Sequence, residues 1–263
     1  MTEPIAPWVV RTRDAHDVVT LTLNRPQSYN ALSEAMMGAL QHELDLLVDD
    51  GRVRVVVLAA AGRAFCAGHD LKEMRATPSQ SYYEQLFARC STLMLSLQRL
   101  PVPVIARVQG LATAAGCQLV AMCDLAVASS DARFAVSGVN LGLFCSTPSV
   151  ALSRNVPRKN AFEMLVTGEF IGAQQAQTYG LINRVAQPED LDAAVHALVS
   201  SVVAKPRQAI ALGKQLFYRQ LECGIQAAYE DAAHTMAVNM MDGCALEGIQ
   251  AFIDKRPPRS PGA

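Results

Sequence analysis

The sequence predicts an α/β fold with a helical C-terminal region. Period-two alternation of apolar residues marks short strands, and apolar residues at three- to four-residue spacing mark the helices between them. From Pro188 onward the pattern is almost wholly helical. The chain has 263 residues, 51% of them apolar, which is enough for a sizeable core. We therefore expect a core over residues 1–187 and a helical region over residues 188–263.

The first part of the predicted core contains two strands and two long helices. Threonines alternate with apolar residues in a strand over residues 19–23, and a helix begins near Ser33. A valine-rich strand follows over residues 52–58, and a second helix over residues 82–100 ends at two prolines. The residues expected on the buried faces of the two helices are Met36, Leu40, Leu44, Leu47, Leu86, Cys90, Leu93, Met94 and Leu97.

The second part of the core has shorter elements. A buried strand is predicted over residues 104–108 and a helix over residues 115–123. Two short strands follow over residues 125–128 and 134–136. The pair Thr147-Pro148 predicts a further helix start, with threonine as the N-cap and proline at the first helical position.

Charge and cysteine content exclude several classes of protein. The formal net charge is −1, with acids and bases mixed along the chain, so nucleic acid and anionic membranes are not expected as partners. The seven cysteines lack Cys-x-x-Cys spacing, which indicates reduced thiols and no metal site. The first ten residues have neither a basic region nor a long apolar run, and no stretch of about 18 apolar residues occurs. We therefore expect a soluble, cytoplasmic protein.

Two segments rich in small residues each follow a predicted strand and precede a predicted helix. They are residues 65–74 (Phe-Cys-Ala-Gly-His-Asp-Leu-Lys-Glu-Met) and residues 110–119 (Gly-Leu-Ala-Thr-Ala-Ala-Gly-Cys-Gln-Leu). The first amides of a helix have no intrahelical acceptor and can face a ligand. Two such amides that converge on one point make an oxyanion hole. The second segment lacks the spacing of a phosphate-binding loop.

At these segments the chain resembles the crotonase superfamily of enoyl-CoA hydratases and isomerases. The family's signatures are Phe-x-Ala-Gly-x-Asp-Leu-Lys-Glu and Gly-x-x-x-x-Gly-Gly-x-Glu-Leu, and residues 23–32 and 247–256 also fit its pattern. The resemblance implies a spiral of strand-strand-helix repeats and an acyl-CoA thioester as substrate. It also implies a homotrimer or a dimer of trimers, built through the C-terminal helices. Coenzyme A is then part of the substrate, and no cofactor is bound covalently.

The resemblance also assigns roles to individual residues. It implies that the amides of His69 and Ala115 form the oxyanion hole. Phe252 and Lys255 match positions that close over CoA from a neighbouring subunit. The other residues that the resemblance places along the acyl-CoA groove are Arg25, Ser28, Ala67, Gly68, Asp70, Leu71, Lys72 and Gly116.

The chain departs from the family where the hydratases carry two glutamates. Gln118 and Gly138 occupy those two positions. An amide cannot take a proton from water near neutral pH, and glycine has no side chain. We therefore expect an enzyme of the hydratase/isomerase type with weak or no ordinary hydratase activity.

Three other residues could substitute for the glutamates: His69, Cys145 and Ser146. Against this, the His69 ring could simply pack near the acyl path, and Cys145 could fill a small core space. Gln118 could hold a water or a carbonyl, or be a buried amide that its neighbours satisfy. Two further functions stay open, a non-catalytic acyl-CoA-binding or regulatory protein and a thioesterase or decarboxylase variant.

Overall fold

The computed structural model describes residues 6–259 and divides the chain into two compact units, Met1–Ser200 and Ser201–Ala263. The described strands are β1 (Val9–Arg13), β2 (Val18–Leu23), β3 (Val55–Ala60), β4 (Ala64–Cys66), β5 (Val104–Val108), β6 (Leu111–Thr113), β7 (Leu125–Ser129), β8 (Arg133–Ala135), β9 (Ile171–Gly172) and β10 (Arg184–Ala186). The described α-helices are α1 (Glu34–Val48), α2 (Leu71–Ala76), α3 (Gln80–Arg99), α4 (Ala115–Met122), α5 (Ser146–Asn155), α6 (Arg158–Thr167), α7 (Ala173–Thr178), α8 (Leu191–Val203), α9 (Arg207–Gln220), α10 (Ile225–Met240) and α11 (Gly243–Ile253).

Two sheets form the core of the first unit. The larger sheet has the order β1-β2-β3-β5-β7-β10 and is parallel except for the β1–β2 pair. The smaller sheet has the order β4-β6-β8-β9 and is antiparallel only between β8 and β9. Three times in succession, one strand enters the larger sheet, the next enters the smaller sheet, and a helix follows. The predicted spiral of strand-strand-helix repeats is therefore confirmed.

The two long helices of this unit bury the faces that the sequence predicts. All nine apolar residues named for α1 and α3 are buried. Ser33 is the N-cap of α1, and its hydroxyl accepts a hydrogen bond from the Met36 amide at 3.1 Å. The strand after α1 begins three residues later than predicted, because Asp50 turns the chain there by accepting hydrogen bonds from the amides of Arg52 and Val53.

The predicted start of α5 at Thr147 is wrong. The helix begins at Ser146 with Cys145 as its N-cap, and the Ser149 amide donates to the Cys145 carbonyl at 2.9 Å. Pro148 is the third helical residue. Its missing amide is tolerated because the first-turn amides of a helix have no intrahelical acceptor.

Close backbone contacts join the two sheets to α4. A Cβ at Gly116, in the first turn of α4, would lie 2.1 Å from the carbonyl oxygen of Cys66 at the end of β4. A Cβ at Gly110, before β6, would lie 2.0 Å from the Arg63 carbonyl oxygen. Both distances are far below van der Waals contact, so these two positions require glycine.

The second unit consists of helices, and the breaks predicted near Pro206 and Gly224 are confirmed, since these residues precede α9 and α10. Arg219 on α9 pairs with Asp231 on α10 through two hydrogen bonds of 2.6 and 2.8 Å. None of the residues of α10 is fully buried. No helix in the described part of the chain has the length and apolar character to cross a membrane.

We predict that Gly116→Ala destabilises the protein by at least about 1–3 kcal/mol, the usual cost of overpacking, because its methyl group meets backbone that cannot rotate away. Gly38→Ala is the matched control. Gly38 lies exposed within α1 with nothing within 4 Å of its missing Cβ, so this change should stabilise by about 0.5–1 kcal/mol. Urea unfolding measures both changes. Equal effects at the two positions would contradict the close contact.

Candidate active site

A cavity of about 420 Å³ lies in the first unit, where the ends of β4 and β6 meet α2, α3 and residues 137–148. Its size is within the usual range for small-molecule sites, about 300–1,000 Å³. The lining residues are Ala67, His69, Leu71, Met74, Phe87, Thr113, Ala114, Ala115, Ser137, Gly138, Leu141, Leu143, Phe144, Cys145, Ser146, Thr147 and Pro148. The cavity thus joins the two small-residue segments to a third segment 18 residues or more beyond them.

The turn after β4 packs directly on the start of α4. Gly68 has φ +91°, and a Cβ there would lie 3.3 Å from the Ala115 amide nitrogen and 2.9 Å from the Ala114 Cβ. The Thr113 hydroxyl donates to the Ala67 carbonyl at 3.0 Å, and the Leu32 amide donates to the Gly68 carbonyl at 2.8 Å. These contacts hold the turn in place from two sides.

The backbone at the start of α4 is bent in an uncommon way. Ala114 is a non-glycine residue with φ 49°, a conformation that costs about 1–3 kcal/mol. Its own amide donates to the Ala135 carbonyl at 2.9 Å, which fixes the bend. Ala115 is the first residue of α4. Within residues 6–259, neither the Ala115 amide nor the His69 amide donates to a protein acceptor, so both can donate to a ligand in the cavity.

The His69 ring contacts Leu32, which precedes α1, and Phe87 on α3. Its Nδ1 lies 3.3 Å from the Leu32 carbonyl oxygen, and the ring meets Phe87 edge-on with centroids 5.5 Å apart. A carbonyl can only accept, so Nδ1 carries the proton in this contact. Nε2 is buried and has no partner among the described residues. Burial lowers the pKa of the imidazole, because it disfavours the charged form more than the Leu32 contact favours it.

Gly138 and Cys145 contact each other in the cavity lining. The Gly138 amide donates to the Cys145 Sγ at 3.3 Å. A Cβ at Gly138 would lie 2.8 Å from that Sγ and 2.4 Å from the Leu143 carbonyl oxygen, so a side chain here has no space. Burial raises the pKa of the Cys145 thiol, and the Gly138 hydrogen bond offsets this in part.

The other two predicted acid/base candidates differ in position. Ser146 lines the cavity, and its hydroxyl donates to the Phe144 carbonyl at 3.4 Å. Gln118 lies on α4, is only 4% exposed and does not line the cavity. Its Oε1 is buried without a partner in the described part of the chain. The structure therefore brings His69, Gly138, Cys145 and Ser146 together and leaves Gln118 inside the protein.

The residues predicted to hold CoA are spread more widely. Ala67 and Leu71 line the cavity, whereas Gly68 and Gly116 form the turn contacts beneath it. Asp70 is the N-cap of α2 and accepts hydrogen bonds from two amides of its first turn. Two further residues predicted to hold CoA, Ser28 and Lys72, lie exposed on the first unit. Phe252 and Lys255 belong to the second unit, where Phe252 is 85% exposed.

The Arg25 side chain binds backbone carbonyls of the protein itself. Its guanidinium donates to the carbonyls of Ala6, Pro7 and Asn24 at 2.6 to 3.0 Å and lies 4.0 Å from the centre of the Trp8 ring. The side chain is 8% exposed. Its hydrogen-bonding capacity is largely used in holding the start of the chain.

Most of the large apolar residues that line the cavity were not predicted as site residues from the sequence. Phe87 comes from the interior of α3, and three apolar side chains come from the loop before α5. A signal for the loop exists, since Leu141, Leu143 and Phe144 are apolar residues in a short segment around Gly142, outside any strand or α-helix. Apolar side chains in such a position are typical of a ligand-binding surface.

Comparison with known proteins gives consistent matches over nearly the whole chain. The enoyl-CoA hydratase/isomerase family profile matches residues 13–261. Enoyl-CoA hydratase domain-containing protein 3, mitochondrial, of Xenopus laevis is 46% identical over 92% of this chain and 83% of its own length. An enoyl-CoA hydratase structure from Mycobacterium smegmatis is 66% identical, with a TM-score of 0.96, covering 97% of this chain and 99% of that one. The structure of human enoyl-CoA hydratase domain-containing protein 3 is 42% identical, with a TM-score of 0.92, over 96% and 100% of the two chains.

The comparison contradicts the predicted cytoplasmic location. The relative from Xenopus laevis is named a mitochondrial protein, and so are those from Mus musculus and Homo sapiens. The prediction was wrong because it depended on the absence of a leader pattern at the start of the sequence, which is not sufficient to assign a compartment.

Both the fold and the sequence agree with the resemblance inferred from the two small-residue segments. The solved structures share the mixed α/β architecture with its mainly parallel sheet. The family match extends from the end of β1 to beyond α11. The chain belongs to the enoyl-CoA hydratase/isomerase family.

Proposed function

We propose that the chain binds an acyl-CoA thioester in the cavity and polarises its carbonyl with the amides of His69 and Ala115. One observation carries this proposal: two amides without a protein acceptor lie on two turns that pack against each other beside a largely apolar cavity. Donors in this arrangement stabilise the negative charge that develops on a thioester oxygen when an enolate forms. The names of the relatives, which refer to enoyl-CoA hydratases, support the substrate class.

The same site lacks the groups that activate water in an ordinary hydratase. Gln118 does not reach the cavity lining, and Gly138 has no space for a side chain. Among the described lining residues there is no aspartate or glutamate. A positioned acid or base contributes about 10² to 10⁴ in rate, so loss of both leaves hydration weak while thioester binding persists.

Three of the predicted candidates for proton transfer line the cavity. The His69 imidazole is neutral near pH 7, because burial lowers its pKa, and its Nε2 has no partner among the described residues. The Cys145 thiol is protonated, because burial raises its pKa. Ser146 contributes a hydroxyl. These groups are the acid/base set of the proposed enzyme, and enolate chemistry without added water is the reaction class that they fit best.

A second candidate is an acyl-CoA-binding protein without catalysis. The absence of carboxylates from the described lining favours it. Incubation with a set of CoA thioesters, followed by mass spectrometry and an assay for free thiol, separates the two functions. Conversion of any one thioester excludes the binding protein.

We further propose that the protein forms a homotrimer or a dimer of trimers through its second unit, with Phe252 and Lys255 closing over a neighbour's CoA. Large apolar side chains are exposed on the helices of this unit. The most exposed are Ile225, Tyr229, Met236, Met241 and Phe252, at 70% to 85%. Such a surface is typical of an interface between protein chains.

Crotonyl-CoA should bind but be hydrated far more slowly than the roughly 10 s⁻¹ of a median enzyme, because the described cavity lining holds no carboxylate that could activate water. Calorimetry measures binding, and loss of the ultraviolet absorbance of the enoyl thioester measures hydration.

Gly68→Ala should abolish binding, because its methyl group would lie 3.3 Å from the Ala115 amide nitrogen at a strained φ. Gly51→Ala, where nothing lies within 4 Å of the new Cβ, is the control. Fast hydration, or unchanged binding by folded Gly68→Ala, would contradict the site.

The free energy of unfolding should fall as the pH drops below about 6.5, the ordinary pKa of histidine. The pKa of His69 is lowered in the folded state, so the unfolded chain binds its proton first and gains stability relative to the folded protein. One group contributes at most about 1.4 kcal/mol per pH unit. Urea unfolding at pH 7.5 and 5.5 should show a smaller loss in His69→Phe than in the wild type. His16→Gln, at an exposed position, is the control and should lose as much stability as the wild type. If His69→Phe also loses as much stability between the two pH values as the wild type, the His69 ring is not buried in this way.

A further inference from the structure

Large apolar side chains from two parts of the chain line the cavity. Leu141, Leu143 and Phe144 come from the loop before α5, whereas Phe87 and Met74 come from α3 and α2. The first three are 44% to 71% exposed in the chain. Their exposed surface can be covered when an apolar tail fills the cavity, at a gain of about 25 cal/mol per Å².

The loop that carries these side chains has a defined backbone. The Leu143 amide donates to the Gly138 carbonyl at 3.0 Å, and the Ser146 amide donates to the Phe144 carbonyl at 2.8 Å. Gly142, with φ +78°, ends the short 3₁₀ turn between them. The apolar wall is therefore formed before a ligand arrives and needs little ordering on binding.

The described lining of this cavity carries no fixed charge. The 17 described lining residues include no lysine, arginine, aspartate or glutamate. His69 does not supply a cation near neutral pH, since burial of its ring favours the neutral form. Besides the neutral His69 ring, the polar side chains of the described lining are hydroxyls and one thiol, which can satisfy a carbonyl but cannot neutralise an anion.

From this lining we propose that the cavity selects CoA thioesters with an uncharged, apolar acyl tail and rejects those whose tail ends in a carboxylate, with Phe144 as a selecting residue. This inference rests on the proposed acyl-CoA site. An ionised carboxylate that loses water without gaining a counter-ion is costly. An apolar tail of equal length gains from the same transfer.

Hexanoyl-CoA and adipoyl-CoA test this selectivity, because they share a six-carbon chain and differ in the terminal carboxylate. Calorimetry should show at least tenfold tighter binding of hexanoyl-CoA to the full-length protein. The two thioesters carry the same CoA, so the ratio of their dissociation constants reports the acyl tail alone. Equal binding of both would overturn the selectivity and leave the proposed acyl-CoA site standing. Binding of neither by folded protein would overturn both proposals.

Phe144→Lys tests whether the loop before α5 selects the acyl tail. A lysine there would place a cation beside the tail, and the ratio should fall at least tenfold toward equal binding. Phe162→Lys is the matched control, because Phe162 is 60% exposed on α6 and does not line the cavity. Its ratio should equal that of the wild type. The role of Phe144 would be overturned if Phe144→Lys kept the wild-type ratio of dissociation constants. It would also be overturned if Phe162→Lys lowered that ratio as much as Phe144→Lys does.

Discussion

The start of α4 rests on the end of β4 at backbone distance, and the site depends on this contact. Gly116 makes it possible, since any side chain there would collide with the Cys66 carbonyl. The contact brings the Gly68 turn against the Ala115 amide, and the Thr113 hydroxyl holds the same turn through the Ala67 carbonyl. Two amides from segments over 40 residues apart are thereby placed at one cavity. The scaffold that sets their positions is a pair of sheets, so the arrangement is rigid before a ligand binds.

A second close approach of the backbone at a glycine occurs in the lining at Gly138, with a different consequence. Here the contact fills the space that a side chain at Gly138 would need. The thiol of Cys145 and the carbonyl of Leu143 occupy it. The protein therefore combines two amides that have no acceptor among the described residues with a position that has no room for an acid or base. A substitution at Gly138 alone cannot supply one, because the Leu143 backbone would have to move as well.

Local patterns were sufficient for the elements and for the turns of the site. The periodicity of α1 and α3 identified their buried faces, and the small-residue segments identified the turns at Gly68 and Gly116, because these signals depend on neighbours in sequence. The features that escaped prediction depend on distant parts of the chain. The capture of Arg25 by residues 6–8 is one, and the enclosure of Gly138 by Leu143 is another. Neither contact produces a repeating pattern of residues in the sequence.

The central claim is that two backbone amides polarise the carbonyl of a bound thioester. Infrared difference spectroscopy with a carbonyl-¹³C-labelled acyl-CoA measures this polarisation at the bond concerned. We expect the carbonyl stretch of the bound thioester to lie at a lower frequency than that of the same thioester in water, because two fixed donors act on one oxygen in a largely apolar cavity. A stretch at or above the aqueous frequency would show that the carbonyl meets no such donors, and would contradict the account.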